Sequence, residues 1–432
     1  MRPIQLDWMK NISDKEIDYQ TLVSCRLCTG SFSDQNLNLG SSPLANELYS
    51  EKKFALKADR FPLDLVMCLE CRHIQLRDIV SPTRLFANYV YQSGISVSFQ
   101  QHFKELANYI SELSGANGLV LEIGSNDGLL LGKLKESGID AVGIEPSKNL
   151  VDLTVSKGLN AYCGFWEEKL SSEIIGIHGL PRVIVANNVF AHIEDMRSAT
   201  MLISKVLDPN GYFVFEVSYF GDVYEKNLFD TVYHEHMSYH TISPLINFFQ
   251  EFNLTVVDVE RISIHGGSIR VTVAKDKSSK VSESVSNILL YEKALGLNNI
   301  EILSRLKDKI DAKRNDVKSI LGSIEKTSFV FGYAAPAKLV TFLVVMGIED
   351  VYLEGIVDDN PNKQNLFLPG SGHQILSSKK VLDSISLNQS GSFCCLVFAW
   401  NIGPELLVKL QQNFPQGTKV IQFVPTVSSV EL

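Results

Sequence analysis

From about residue 118 the chain alternates short apolar runs with longer stretches whose apolar positions recur at helical spacing. "GLVLEIG" reads as a strand ending at Gly124, and "LLLGKLKESG" reads as a helix with a glycine stop. The alternation continues with the strand "DAVGIEPS", the helix "LVDLTVSKG" and a short third strand in "AYCGFW". "RVIVANNV" and "GYFVFEVSY" supply two further apolar, β-branched strands, and "LTVVDVERI" followed by "GSIRVTVA" predicts a closing antiparallel pair. Strands alternating with helices in this way place the segment in the α/β class, with a mostly parallel sheet.

A Ser/Lys-rich patch, "KDKSSKVSESVS", separates this series from what reads as one long charged helix. Its stripe of Ile300, Leu303, Leu306 and Ile310, continued by Val317, Ile320 and Ile324, suits a connecting helix packed on its own protein. A second α/β series follows: "SFVFGY", a helix from about Pro336, "VYLEGIVDD", "SFCCLVFAW" and "KVIQFV". Before residue 80 few segments are periodic, and the chain reads as irregular. Three parts are therefore expected: a cysteine module (1–80), an α/β domain (81–277), and a connecting helix with a second α/β domain (278–432).

At 432 residues the chain exceeds what one hydrophobic core usually organises, which agrees with that division. A net charge of −9 argues against a nucleic-acid partner, because phosphate backbones call for a basic surface. The opening "MRPIQLDWMKNISDKE" lacks the long apolar segment of a secretory signal, and runs such as "FLVVM" (Phe342 to Met346) are far too short to span a bilayer. The expectation is a cytoplasmic protein with no membrane partner, where disulfides are not expected.

Of the seven cysteines, Cys394 and Cys395 fall in an apolar run and read as core. Cys25 with Cys28, and Cys68 with Cys71, form two C-x2-C pairs separated by 39 residues. Two such knuckles supply the four thiolates of a tetrahedral zinc site. With every position filled by protein, that zinc is structural, and it lends cohesion to a module poor in periodic apolar segments.

"LEIGSNDG" leaves the first strand and opens a helix. Glu122, Gly124, Ser125 and Gly128 keep the glycine turn that lets a cofactor approach the backbone, but Asn126 stands where a dinucleotide loop carries its middle glycine. Glu145, 23 residues after Glu122 at the end of the second strand, is placed to accept ribose hydroxyls. An adenosine cofactor without a pyrophosphate, S-adenosylmethionine, suits this pattern better than NAD. Asn187 and Asn188, in "ANNVFAHIED", end the fourth strand nearby. Further on, "YHEHMSYH" (Tyr233 to His240) gathers three histidines, two tyrosines and Glu235. A metalloprotease helix would need histidine at position 238, where Ser238 stands, so that metal reading fails, and a base cluster or polar surface remains open.

Taken together, "CRLC…CLEC", "YVYQSG", "EIGSNDG", "ANNVFAHIED", "FDTVYHEHMSY", "HGGSIRV", "GYAAPAK", "VDDNPNKQ…LPG" and "AWN" resemble the sugar C-methyltransferases of deoxysugar pathways. The resemblance spans nearly the whole chain. It implies a small zinc-binding module, a class I methyltransferase domain of Rossmann-like fold, and a second, C-terminal Rossmann-like α/β domain. It also implies methyl transfer from S-adenosylmethionine to carbon 3 of a nucleotide-linked 4-keto-deoxysugar. In that frame His236 is the base, Glu235 orients an imidazole, and Tyr233 or His192 donates to the developing oxyanion. Tyr89 and Tyr91 reach the substrate, although aromatic core packing is the plainer reading of both. His265, Tyr333, Lys338 and Asn401 are candidates for holding the sugar or its diphosphate, against ordinary structural or surface roles. The small-molecule substrate is the expected partner, for a monomer or weak homo-oligomer. Two other classes compete: an NAD-dependent sugar-nucleotide oxidoreductase or epimerase, which neither glycine loop supports with a full fingerprint, and a zinc-stabilised binding protein with a degenerate methyltransferase domain.

Overall fold

The computed structural model describes residues 19–86, 97–276, 278–387 and 391–432. The N-terminal part contains β1 (Tyr19–Thr21), β2 (Leu37–Pro43), β3 (Arg60–Met67), β4 (Ile74–Leu76) and β5 (Asp78–Val80). The expected irregular stretch is thus ordered β-structure, a β1-β5 pair beside a sheet that holds β2, β3 and β4. Leu37 and Leu39, and Phe61, Leu63, Leu65 and Met67, alternate into the core with the period of two that strands require. Pro62 and Gly40 interrupt those runs, which hides the alternation on a first reading.

The central sheet is built from β6 (Val120–Ile123), β7 (Ala141–Glu145), β8 (Asn160–Cys163), β9 (Val183–Asn187) and β10 (Tyr212–Ser218). Beyond these lie β11 (Ser238–Tyr239), β12 (Thr255–Ile262) and β13 (Ser268–Ala274). Its order is β12-β13-β10-β9-β6-β7-β8. β6 to β10 run parallel, and β13 is antiparallel to both β10 and β12, so the closing pair is found as expected. The exception is β11, which leaves this sheet altogether. Ser238 pairs with Gln75 and Tyr239 with Ile74, making β11 the edge strand of the N-terminal sheet in the order β11-β4-β3-β2.

The segment read as one long helix holds two, Glu283–Leu295 and Ile302–Gly322, and the stripe belongs to the second, with Ile300 and Ile324 just beyond its ends. Gly296 ends the first in the left-handed conformation (φ +68°), a common helix stop that costs glycine no Cβ clash. Leu303, Leu306, Ile310 and Val317 of the second are buried against the protein, as their spacing suggests. The C-terminal sheet contains β14 (Phe329–Tyr333), β15 (Ile356–Val357), β16 (Ile375–Leu376), β17 (Phe393–Val397), β18 (Lys419–Gln422) and β19 (Ser428–Glu431). Its order is β16-β15-β14-β17-β18-β19, parallel except for β19. Among the described residues no helix is long and apolar enough to cross a membrane.

Candidate functional site

In the central sheet the strand order reverses between β6 and β9, and open α/β sheets bind ligands outside the carboxyl ends of strands at such a point. One cavity of about 1190 Å³ lies there. Glu122, Gly124, Ser125, Asn126 and Glu145 line it from the first two strand ends, and Asn187 and Asn188 from the end of β9. His192, Tyr233, His236 and His265 line another part, and Lys338 with Asn401 closes it from the C-terminal domain. Three candidates stand apart. Gly128 caps the helix behind the loop, Glu235 turns its carboxylate to Asn46 (2.6 Å), and Tyr333 is buried in the C-terminal core against Phe414. Tyr333 alternates inward with Phe331 along β14, so its ring joins that core instead of the cavity. Tyr89 and Tyr91 lie outside the described residues.

The cofactor loop is tightly determined. Gly124 has φ +73°, and a Cβ there would lie 2.3 Å from Cγ2 of Val189. Asn126, at the middle-glycine position, holds φ +48°, a conformation that asparagine tolerates. The Glu145 carboxylate accepts from the backbone N–H of Asn126 (3.0 Å) and of Ser147 (2.9 Å), so it braces the loop as well as facing the cavity. Glu122 is buried and its Oε2 has no hydrogen-bond partner among the described residues. Burial, then the charges of Asp127 and Glu145, pushes its carboxyl well above the usual carboxylate range. Ser125 Oγ and Asn187 Nδ2 also lack partners. A ligand bringing a cation together with hydroxyl donors and acceptors relieves all of these at once, and S-adenosylmethionine has those groups.

In the histidine cluster His234 and His240 are fully buried, while His236 is half-buried and opens on the cavity. His234 donates toward the carbonyls of Phe61 and Pro62, and His240 sits 5.7 Å from the ring of Phe190, so both serve the core. His236 differs, because both ring nitrogens have defined work. Nδ1 lies 2.9 Å from the carbonyl oxygen of Thr231, which can only accept, so Nδ1 carries the proton. The Nε2 lone pair then receives the Tyr233 hydroxyl at 3.0 Å. It is Thr231, and not the Glu235 carboxylate, that orients this imidazole. Burial, joined by the neighbouring His192, holds its pKa well below the usual value and keeps the ring neutral. His192 is 5.0 Å away between ring centroids, with a pKa lowered to about 4 by burial and an Nδ1 that makes no hydrogen bond among the described residues. His265 adopts φ +57° and stacks edge-on to Phe99 at 4.7 Å.

Lys338 opens the helix Lys338–Met346 after β14, yet its ammonium enters the methyltransferase cavity. It donates to Asn401 Oδ1 (2.7 Å) and sits 3.8 Å over the Trp400 ring. Trp400 Nε1 in turn donates to the buried Asp230 (2.7 Å). Burial lowers the Lys338 pKa to about 8, and the Asp230 charge opposes that shift. Asn46, Asp230, Thr231 and Trp400 were missed in the sequence. Only the last three had a signal, since each lies inside a motif already singled out.

In the N-terminal module the four sulfurs of Cys25, Cys28, Cys68 and Cys71 all lie within 4.8 Å of one another. Cys25 to Cys71 is 3.7 Å and Cys28 to Cys68 is 3.4 Å, close to the ~3.8 Å edge of a tetrahedron with ~2.3 Å zinc–sulfur bonds. Each knuckle ends in a residue of positive φ, Thr29 (+63°) and Arg72 (+68°), which turns the chain so that both thiols of a pair face inward.

The seven-stranded order with its antiparallel β13, the glycine loop and the histidine cluster beside it define an S-adenosylmethionine-dependent methyltransferase. Family models agree segment by segment: a zinc-binding domain over residues 25–86, a methyltransferase domain over 99–259, and a C-methyltransferase C-terminal domain over 263–425. The chain is 30% identical to the C-methyltransferase NovU of Streptomyces niveus over 405 residues, 93% of this chain and 95% of that one. It belongs to this C-methyltransferase family, with S-adenosylmethionine as its cofactor and a structural zinc. Solved structures similar to it include the CcbJ methyltransferase of Streptomyces caelestis (TM-score 0.34, 13% identity, 44% of this chain and 94% of that one). Another is the magnesium protoporphyrin IX methyltransferase ChlM of Synechocystis PCC 6803 (TM-score 0.32, 12% identity, 42% and 81%).

Proposed function

We propose that the protein methylates carbon 3 of a nucleotide-linked 4-keto-deoxysugar through an enolate. The carrying observation is the one cavity in which cofactor loop, neutral imidazole and buried lysine face each other. At about 1190 Å³ it exceeds the roughly 300–1,000 Å³ that houses one small ligand, as a site for cofactor plus sugar nucleotide should. Bound S-adenosylmethionine supplies an electrophilic methyl group. The chain's own residues make the carbon nucleophilic. A C–H next to a ketone is acidic only when a base takes the proton while the oxygen's growing charge is stabilised. His236 Nε2 takes that proton, and the Thr231 carbonyl stabilises the imidazolium through Nδ1–H. Tyr233, relinquishing Nε2, and His192 donate to the enolate oxygen. Lys338 and Asn401 hold the substrate from the C-terminal side, where an ammonium matches either the ketone oxygen or a diphosphate. Holding both reactants in line supplies much of the remaining acceleration.

A panel of sugar nucleotides incubated with methyl-labelled S-adenosylmethionine tests this. Label should enter only the 4-keto compounds, on carbon. Equal labelling of 4-hydroxy analogues, or label on oxygen, contradicts the reading.

A further inference from the structure

Arg26 stands between the first two zinc ligands, in "CRLC", yet its guanidinium does not face solvent. Nη1 donates to the carbonyls of Ile193 (2.7 Å) and Glu194 (3.1 Å), the two residues directly after His192. Nη2 donates to the carbonyl of Met237 (2.7 Å) and to the Ser238 hydroxyl, the two residues directly after His236. One rigid fork therefore clamps the chain behind both histidines. The clamp is reinforced where Met237 N–H donates to the Ala191 carbonyl (3.0 Å) and where Leu76 N–H donates to Met237 (3.0 Å), beside the β11–β4 pairing. All four acceptors of the guanidinium are neutral, and a buried cation needs a compensating anion. The Cys25 sulfur is the largest source of favourable charge acting on it, ahead of Glu194 and Asp195, and four thiolates around one divalent zinc carry a net charge of −2.

We infer that Arg26 is a positioning residue: the zinc knuckle holds its guanidinium, and the guanidinium sets the separation and orientation of His192 and His236. The zinc module thereby acts on the reaction as well as on folding. Lysine keeps the charge but offers no fork, so it spans one of the two segments and leaves the other loose.

This rests on His236 being the base, and the experiment separates the two ideas. Arg26→Lys, Ser238→Ala, His236→Asn and, as a control on the exposed side of the second knuckle, Leu69→Ala are compared with the parent. Each is assayed for zinc content, S-adenosylhomocysteine binding, histidine ring resonances by NMR, and solvent exchange of the acidic C–H of a 4-keto sugar nucleotide. For Arg26→Lys the expectation is unchanged zinc and cofactor binding, shifted His192 and His236 resonances, and exchange slowed tenfold or more with a displaced pH profile. Ser238→Ala, which removes one of the four acceptors, should slow exchange about two- to fivefold, and it carries the test if Arg26→Lys does not fold. If His236→Asn abolishes exchange while Arg26→Lys or Ser238→Ala leaves rate and resonances at parent values, Arg26 does not position the site. If His236→Asn exchanges normally, the base assignment fails instead, and unmoved resonances in Arg26→Lys would then independently end the clamp.

Discussion

Gly124→Ala isolates what the cofactor loop requires of its backbone. Two costs follow from the geometry. A φ of +73° costs an alanine about 1–2 kcal/mol, because its Cβ crowds the following carbonyl. The same Cβ would also lie 2.3 Å from Val189 Cγ2, and relieving such overpacking costs a further ~1–3 kcal/mol. Gly138→Ala supplies the contrast, with an almost identical φ of +74° and no atom within 4 Å of its added Cβ, so only the first cost applies. Because Val189 follows Asn188, which lines the cavity, the displacement should also reach the cofactor. Urea unfolding should therefore show Gly124→Ala less stable than Gly138→Ala by about 1–3 kcal/mol. Calorimetry should show S-adenosylhomocysteine affinity lowered roughly tenfold or more in Gly124→Ala alone, a difference of about 1.4 kcal/mol or above. Equal stability and equal affinity in the two variants would refute the argument that contact with Val189 fixes the loop.

Purified protein should contain one equivalent of zinc, and Cys71→Ser should lose it and unfold the N-terminal sheet first, seen as early proteolysis within residues 19–86. Full zinc retention in that variant would contradict the four-thiolate site. Acid should destabilise the protein below about pH 6.5: His192 and His234 have pKa values lowered to about 4, and His240 and His265 to about 3, all by burial. The unfolded chain then binds more protons than the native one, so stability present above pH 6.5 falls with pH, by ~2 kcal/mol per such histidine at pH 5. A flat urea midpoint from pH 7 to 5 would contradict their burial as neutral rings. Trp400→Phe leaves buried Asp230 Oδ2 without its indole donor and should cost about 1–3 kcal/mol in the same assay, against near-zero if that hydrogen bond were solvent-exchanged.

The large elements were legible because their signals are local. β-branched runs, the glycine stops and the C-x2-C pairs each announce themselves within ten residues, and the whole central strand series appears where the pattern places it. What escaped was made by long-range contact. Asn46 meets Glu235 across 189 residues, and Trp400 meets Asp230 across 170, with nothing periodic to announce either pair. β11 is two residues long, too short for alternation to assign it to any sheet, and it joined the N-terminal one. Glu235 illustrates the same limit. Adjacency to His236 suggested that its carboxylate orients an imidazole, but Glu235 sits in the turn closed by His236 N–H and the Tyr233 carbonyl, its carboxylate meets Asn46, and Thr231, five residues back, holds the His236 ring.

Hydrogen–deuterium exchange at carbon 3 of a 4-keto sugar nucleotide, followed by NMR with S-adenosylhomocysteine bound, tests the central claim most directly. The parent protein should exchange that hydrogen without any methyl transfer, and His236→Asn should bind S-adenosylhomocysteine as the parent does while exchange stops. Exchange at the parent rate in His236→Asn would show that another group removes the proton.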